Sequence, residues 1–400
     1  MNLSLTPVKP KSRIDLLDVY RGFAVFGIFV VNSVIMHSTF VNQDAYLAQF
    51  TSWYDRGTQQ LLQLFFYTKF FPIFSLLFGL GIAMQILKRR QEHQPVAGFL
   101  VRRMGFLFLF GAAHIIFLWS GDVIHLYALL GMFAVVCIKA SNKVLLWSSL
   151  LLLCFPFYDL LLEWLFKSIH FDPFVYLEGF DGERINQIIT EGAYTQGLIL
   201  RLREYLVNLP MLFGFLAPIA LAMFLLGVYL GKNKLVYDLK SFILKLKKPA
   251  LLIAVITNVY RILFLTLFTS LDLYKTEGFR SAFIKMMVIC DVAMGLFYLW
   301  VLGWLWYMTP FQKLLHPLKY VGQMALTNYI LQSAIGLFLF SSVGLGWYEQ
   351  LSPTQVALLA VSVFIVQVFF SKLWLSYFKY GPLEWLWRCL SYKTLLKIRR

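Results

Sequence analysis

RIDLLDVYRGFAVFGIFVVNSVIM, residues 13–36, decides the fold class. An acidic-basic cluster, Asp15, Asp18 and Arg21, runs directly into an apolar stretch that carries one amide, Asn32. On a helix, Asp18 and Arg21 are close enough to pair. Arg21 and Asn32 are nearly three whole turns apart, so they share a face roughly 16 Å apart along the axis. A membrane anchor has no use for such a stripe. A spanning helix that carries one needs partners in a bundle, and polar residues at membrane depth point to function.

Composition agrees. The 400 residues are 60% hydrophobic, 18% aromatic and only 14% charged, with a mean hydropathy of +0.70. Soluble domains are typically about 45–50% apolar and 25% charged. The expected fold is an all-α polytopic membrane bundle with no soluble domain. A span takes about 20 mostly apolar residues. About ten such segments are legible, near 19–37, 61–87, 99–119, 121–138, 143–165, 210–230, 250–270, 281–307, 323–346 and 354–377.

Basic residues orient the bundle through the positive-inside bias. With the N-terminus in the cytoplasm, Lys9, Lys11 and Arg13 fall inside, followed by Lys88, Arg89, Arg90, Arg102 and Arg103. Lys139 and Lys143, six lysines within 232–248, Lys313, Lys319 and the tail Lys393, Lys397, Arg399 and Arg400 complete the inner set. Both termini are therefore expected to be cytoplasmic, in a multi-pass protein of the bacterial cell membrane. The net charge of +16 is read as topology plus attraction to anionic inner-leaflet lipid, with no nucleic-acid partner. A second reading is that the basic rim also receives a phosphate-bearing cytosolic substrate. Cys137, Cys154, Cys290 and Cys389 are scattered without a C-x-x-C, so no metal site or disulfide framework is expected. Nothing in the sequence bears on oligomeric state.

Two membrane halves are expected, 1–165 with spans one to five and 210–400 with spans six to ten and the tail. Between them lies an extracytoplasmic loop, 166–209, helix-like from about Arg184 and suited either to an interfacial helix or to a plain connector. The tail segment GPLEWLWRCLSY (381–392) opens on a Gly-Pro turn and is expected to fold back against the inner interface.

With orientation assigned, polar residues acquire depth. His37, Lys69, His114, Asp122, His125, Lys285 and Asp291 come from five spans and sit at similar depth on the outer side. Each is expensive facing lipid, so a shared polar cavity is expected. Arg261 and Asn258 lie near mid-depth, and Asn328, Gln332, Gln367 and Lys372 lie from mid-depth inward. Plainer roles exist for several of these: snorkelling for Lys69 and Lys285, interhelical hydrogen bonds for Asn258, Asn328 and Gln332, a helix cap for Asp122. A histidine oriented by a carboxylate is a general base for an acceptor hydroxyl or amine. His114 with Asp122, or His125, can fill that role because the Trp119-Ser120-Gly121 turn forces spans three and four together. The same groups would also relay protons in a coupled transporter.

The motifs DVYRGFAVFGIFVVN (18–32), KFFPIFSLLFGLG (69–81), H-x7-D-x2-H-x-Y (His114 to Tyr127), GQMALTNYILQS (322–333) and GPLEWLWR (381–388) resemble the YeiB-like bacterial membrane proteins, domain of unknown function 418. The resemblance runs from about residue 13 to 392. Some members of that family are loosely described as transport-related. The first-span pattern is also similar to transmembrane acyltransferases, which pass acyl groups from cytosolic acyl-CoA to acceptors on the far side. In the acyltransferase-3 group an arginine is followed eleven residues later by histidine. Here Arg21 matches the arginine, but Asn32 stands at the second position and cannot act as a base. The heparan-glucosaminide type is closer, with arginine-glycine, a later asparagine and a histidine further on, for which His37 is the nearest candidate.

The leading expectation is thus a transmembrane acyltransferase with His37, His114, Asp122 and His125 as catalytic residues. Asp18, Arg21, Asn32, Lys69, Arg261, Lys285, Asp291, Asn328 and Gln332 are expected to bind substrates. Acyl-CoA is the expected co-substrate, with no tightly bound cofactor and a small-molecule, lipid or glycan acceptor. The alternative is a transporter of a small or amphiphilic solute through the same cavity.

Overall fold

The computed structural model describes residues 14–400, apart from the side chains of Val135, Val236, Tyr237 and Glu277. Lys9, Lys11 and Arg13, placed in the cytoplasm above, lie outside them. The described chain is helical, with one isolated bridge, Phe378 to Arg399, and no strand. The helices that build the bundle are α1 (Asp15–His37), α2 (Trp53–Phe65), α3 (Phe70–Gln91), α4 (Ala97–Phe117), α5 (Ile124–Cys137), α6 (Asn142–Cys154), α7 (Tyr158–Ser168), α8 (Tyr194–Val207), α9 (Ala217–Lys232), α10 (Lys247–Thr266), α11 (Glu277–Met308), α12 (Leu318–Gln323), α13 (Ala325–Phe340), α14 (Pro353–Tyr377) and α15 (Pro382–Tyr392).

Among the described residues, seven helical segments are long and apolar enough to cross a bilayer, and up to nine if each bent pair counts as one span. Three of the roughly ten expected segments depart from a single straight span. The 143–165 segment breaks into α6 and α7, bent by 82°, and the 323–346 segment belongs to a second bent pair, Gln312–Gln323 with α13, at 81°. The expected fourth span is α5, of 14 residues, about 21 Å long and short of the roughly 30 Å hydrocarbon core. Proline explains part of this: Pro156 lies in the α6–α7 break and cannot donate to a continuing helix.

α1 is the hub. It packs against α3, α11, α12, α13 and α14, and Val19 and Ala24 on it are fully buried. Small residues set its distance from α12: a Cβ at Gly22 would strike the Leu318 carbonyl, and one at Gly322 the Asp18 carbonyl. The α3–α9 pair is built the same way. Gly79 meets the Phe224 carbonyl, while Gly227 and Gly231, four apart, meet Leu76 and Ala83. Lipid tails offer no hydrophobic driving force between helices, so such close backbone approach, with its gain in van der Waals contact, is what holds membrane helices together. α10 and α14 are peripheral and turn Val255, Ile256, Val366 and Phe369 outward.

Lysine and arginine concentrate on one face, where α1 begins, and Lys319 pairs there with Asp15 at 3.1 Å. α15 lies along this basic face against α4, its Trp387 indole donating to the Arg103 carbonyl at 2.7 Å. On the far face, α8 packs against α4, so the 166–209 segment does more than connect.

Candidate functional site

α4 ends at Phe117, and the chain turns back into α5 within six residues. Gly111 permits the close return, since a Cβ there would lie 2.5 Å from the His125 main-chain nitrogen and 2.8 Å from Asp122 Oδ2. Asp122 then caps α5, its Oδ2 accepting from the His125 N–H at 2.9 Å. The same oxygen lies 2.7 Å from His125 Nδ1. The other, Oδ1, lies 2.9 Å from His114 Nδ1, close enough for a charge contact although the N–H is off the hydrogen-bond axis. All three residues are buried.

One carboxylate faces two imidazoles: Asp122 is within hydrogen-bond distance of His125 Nδ1 and in charge contact with His114 Nδ1, which favours a proton on each Nδ1 and leaves each Nε2 as the basic position. The two are not equivalent. His125 Nε2 is 3.1 Å from the Tyr205 hydroxyl on α8. His114 Nε2 has no hydrogen-bond partner among the described residues, and its ring lies 5.2 Å from that of Tyr329.

Two cavities approach this group from opposite faces. The basic-face cavity, about 210 Å³, carries Arg21, Arg103, Arg388 and Gln85 among apolar residues that include Phe74, Leu77, Phe78 and Leu107. The far-face cavity, about 660 Å³, is lined by Asn32, Asp122, Glu204, Tyr205 and Asp291 within a mostly apolar wall. Ile28, Val123 and Tyr329 line both. These side chains are common to the two linings, and His114 packs against the tyrosine among them.

The other expected site residues divide. Arg21 donates to Asp18 at 2.8 Å and faces the basic-face cavity, where it lies beside Gly81. Asn32, three turns further along α1, lines the far-face cavity. Lys69, Arg261 and Asp291 form a buried cluster, with Asp291 Oδ1 at 2.7 Å from Lys69 Nζ and 2.9 Å from Arg261 Nε. Lys69 has a structural task as well. The helix breaks between Phe65 and Phe70, with Thr68 at φ 66°, and the ammonium takes up the Gln63 and Tyr67 carbonyls at 3.1 and 2.7 Å. His37 stands apart from the histidine pair: Tyr46 and Phe340 pack edge-on against it, and its Nε2 accepts from the Leu351 N–H at 3.2 Å. Asn328 and Gln332 tie α13 to α14 through Ser371 and Gln367. Lys285 lies over the Tyr158 ring.

Several residues escaped the sequence reading. Arg103 reads as a topology marker, yet it is buried over Trp387, 3.6 Å from the ring centroid. Glu384 accepts from the Leu326 and Thr327 N–H groups at 2.7 and 3.0 Å and so caps α13 from another helix. Tyr205 and Glu204 lie in a loop segment with no motif of its own. Ser120 donates to Glu204 at 2.9 Å, and desolvation pushes that carboxyl up to about 7 against the pull of Ser120 and Arg201. The folded state therefore holds this proton above the ordinary glutamate range. Linkage gives the sign: between about pH 4.5 and 7 the native state binds more protons, so stability falls as pH rises and levels off above. Melting temperature in detergent is expected to decline over that window, and Glu204→Gln to flatten this part of the slope. An identical slope in the variant would remove Glu204 from the account.

Among the described residues no group of three or more His, Cys, Asp or Glu side chains is arranged to hold a metal ion.

Residues 230–394 match the family described as protein of unknown function (DUF418). Relatives extend the likeness over nearly the whole chain. YxaH of Bacillus subtilis, an uncharacterized protein, is 28% identical over 97% of this chain and 96% of its own. An uncharacterized 39.9 kDa protein from the amylase 3' region of Bacillus acidopullulyticus is 26% identical, covering 98% of each. YeiB of Escherichia coli, also an uncharacterized protein, is 26% identical over 94% of this chain and 96% of its own. The YeiB-like resemblance carried by the motifs is borne out, and with it multi-pass membrane character.

Proposed function

We propose that the protein transfers an acyl group through the bilayer, from a cytosolic acyl-CoA-type thioester to an acceptor on the opposite side. One observation carries the reading: a basic, partly apolar cavity and a larger cavity on the far face share Tyr329 in their linings, beside a histidine whose Nε2 has no hydrogen-bond partner among the described residues. The basic face is cytoplasmic in this reading, by the positive-inside bias. A CoA-type donor carries phosphates and a thioester. Arg21, Arg103 and Arg388 suit the first, and the Phe74–Phe78–Leu107 lining suits the second.

The step needs no cofactor. The acceptor enters from the far face, and its O–H or N–H proton passes to His114 Nε2 as its oxygen or nitrogen attacks the thioester carbonyl carbon. Asp122 stabilises the imidazolium. Tyr329 Oη, buried beside the Val123 main chain without an aligned hydrogen bond, is placed to donate to the carbonyl oxygen as negative charge develops. Collapse breaks the C–S bond, and the thiolate leaves toward the basic face with the proton from His114. An ester or amide forms, and the thiol is released.

CoA is expected to stabilise the purified protein through mass action on the folded state. Arg21→Ala should reduce that shift, and Arg21→Lys should restore only part of it, because a point charge lacks the guanidinium fork. In vesicles, CoA protection should appear in inverted membranes and not in right-side-out ones. No thermal shift at millimolar CoA would remove acyl transfer from consideration and leave solute transport through the same cavities.

A further inference from the structure

Where the 182–207 segment lies across the far ends of α1 and α13, it borders a third cavity, of about 80 Å³. Two hydrogen bonds hold the seam: the Ser342 N–H donates to the Ile189 carbonyl at 2.7 Å, and the Tyr194 hydroxyl to the Phe117 carbonyl at 2.7 Å. Ile35, Met36, Leu200 and Leu337 give the cavity an apolar wall. One cation stands among them. Arg201, on α8, lines the cavity although it is only 9% exposed.

The guanidinium is partly committed. Its Nε donates to the Ile116 carbonyl at 3.2 Å, and its carbon lies 5.1 Å from the Tyr194 ring centroid. Nη2 is buried without a hydrogen-bond partner among the described residues. A buried cation with an unspent donor is costly unless something pairs with it. Glu204, one turn along α8, also lines the cavity. Its Oε2 accepts from Ser120, and burial pushes the carboxyl up to about 7. At pH 6 it therefore carries its proton and does not balance the charge. Water in the cavity would satisfy Nη2 and still leave the charge uncompensated.

We infer that this cavity is a binding site for a small carboxylate, which pairs with Arg201 and lays a short hydrocarbon chain against Ile35, Met36, Leu200 and Leu337. The ligand class follows from the donors. Tyr194, Ser341 and Ser342 spend their hydroxyl protons on the Phe117, Leu337 and Gly192 carbonyls. The lining is thus poor in donors for a phosphate, whereas the paired oxygens of a carboxylate match one guanidinium. At roughly 10–15 Å³ per water, the volume holds about five waters, or a carboxylate of about six non-hydrogen atoms. Ile35, Thr39, Trp119 and Glu204 line both this cavity and the far-face cavity, so the site borders the chamber proposed for the acceptor. It stands on its own cavity and goes beyond the acyl-transfer reading.

The test uses the full chain in phosphatidylcholine nanodiscs at pH 6, with butyrate as the probe and saturation-transfer NMR as the readout. Butyrate is expected to bind saturably, and butyramide, its uncharged analogue, about tenfold or more weakly, as loss of a charge-assisted hydrogen bond implies. Inorganic phosphate at the same concentration should leave the butyrate signal in place. Arg201→Gln should weaken butyrate about tenfold or more, with melting temperature as the control for folding. Gly197→Ala is the second variant, because it keeps the charge and favours the helix. Its Cβ would come within 3.2 Å of Arg201 Nη1, so it displaces the guanidinium tip and should weaken butyrate severalfold. Equal binding of butyrate and butyramide, or no binding of either, would overturn the site and leave a cavity that holds water. Displacement of butyrate by phosphate would overturn the carboxylate class, and unchanged affinity in either folded variant would overturn the role of Arg201. CoA-dependent stabilisation reports the basic-face cavity, so its absence would sink acyl transfer and not this site.

Discussion

His114→Ala is expected to lower acyl transfer by about 10²–10⁴-fold, the contribution of a positioned general base, while CoA-dependent stabilisation persists. The base touches the acceptor's proton and not the donor's phosphates, so rate and donor affinity should separate. His125→Ala should cost less, because its Nε2 is already engaged by Tyr205 at 3.1 Å whereas that of His114 is free among the described residues. Asp122→Asn should damage the rate about as much as His114→Ala. An amide can donate to Nδ1 and so favour the wrong tautomer at either imidazole, the effect that a buried carboxylate prevents in histidine-based acyl transfer. The measurement is single-turnover acyl transfer in membranes, with melting temperature as the control for folding. A larger loss from His125→Ala than from His114→Ala would exchange the two roles. Unchanged rates in all three variants would leave the cluster as a structural lock between α4 and α5.

The second large effect is on stability. Gly322→Ala is expected to destabilise by about 1–3 kcal/mol, toward the upper end of the cost of overpacking. Its Cβ would fall on the Asp18 carbonyl oxygen and close to the Gly22 nitrogen, and backbone atoms in a helix hub cannot move aside as a long side chain can. The displacement would also disturb Asp18, which holds Arg21 at 2.8 Å and takes a hydrogen bond from Gln323 at 3.3 Å. CoA stabilisation should therefore weaken along with the fold. Gly105→Ala on α4 is the control: a Cβ there meets nothing within 4 Å, and alanine is the better helix former. Equal melting temperatures for Gly322→Ala and the wild type would mean that α1 and α12 pack less tightly than this geometry has them.

Much of the architecture is legible because membrane insertion is written in local composition. Long apolar runs give α1, α3, α4, α9, α10, α11 and α14 directly, since each buries its own backbone hydrogen bonds and needs only length. The reading fails where that condition fails. The 143–165 and 323–346 segments have the composition of spans, but bends of 82° and 81° depend on which neighbours satisfy the freed backbone groups. For α13 that neighbour is Glu384, far away in sequence, which no window of hydropathy contains.

The candidate site divides along the same line. Asp122 and His125 are three apart, and His114 is joined to them by a short turn, so their meeting follows from chain geometry alone. Spacing also places Arg21 and Asn32 on one face of α1, where each reaches a different cavity. Tertiary structure decided the rest. It set His37 among aromatic rings, gave Lys69 to a helix break, and brought Tyr205 from the 166–209 segment onto one histidine while leaving the buried Nε2 of the other without a hydrogen-bond partner among the described residues. It also put Tyr329 in the linings of both cavities. None of these follows from sequence, because each contact joins helices whose relative rotation is set by close packing at small residues such as Gly22, Gly111 and Gly322. A pattern of apolar residues determines that a helix crosses a membrane; which of its faces meets which neighbour is determined only when the whole bundle has packed.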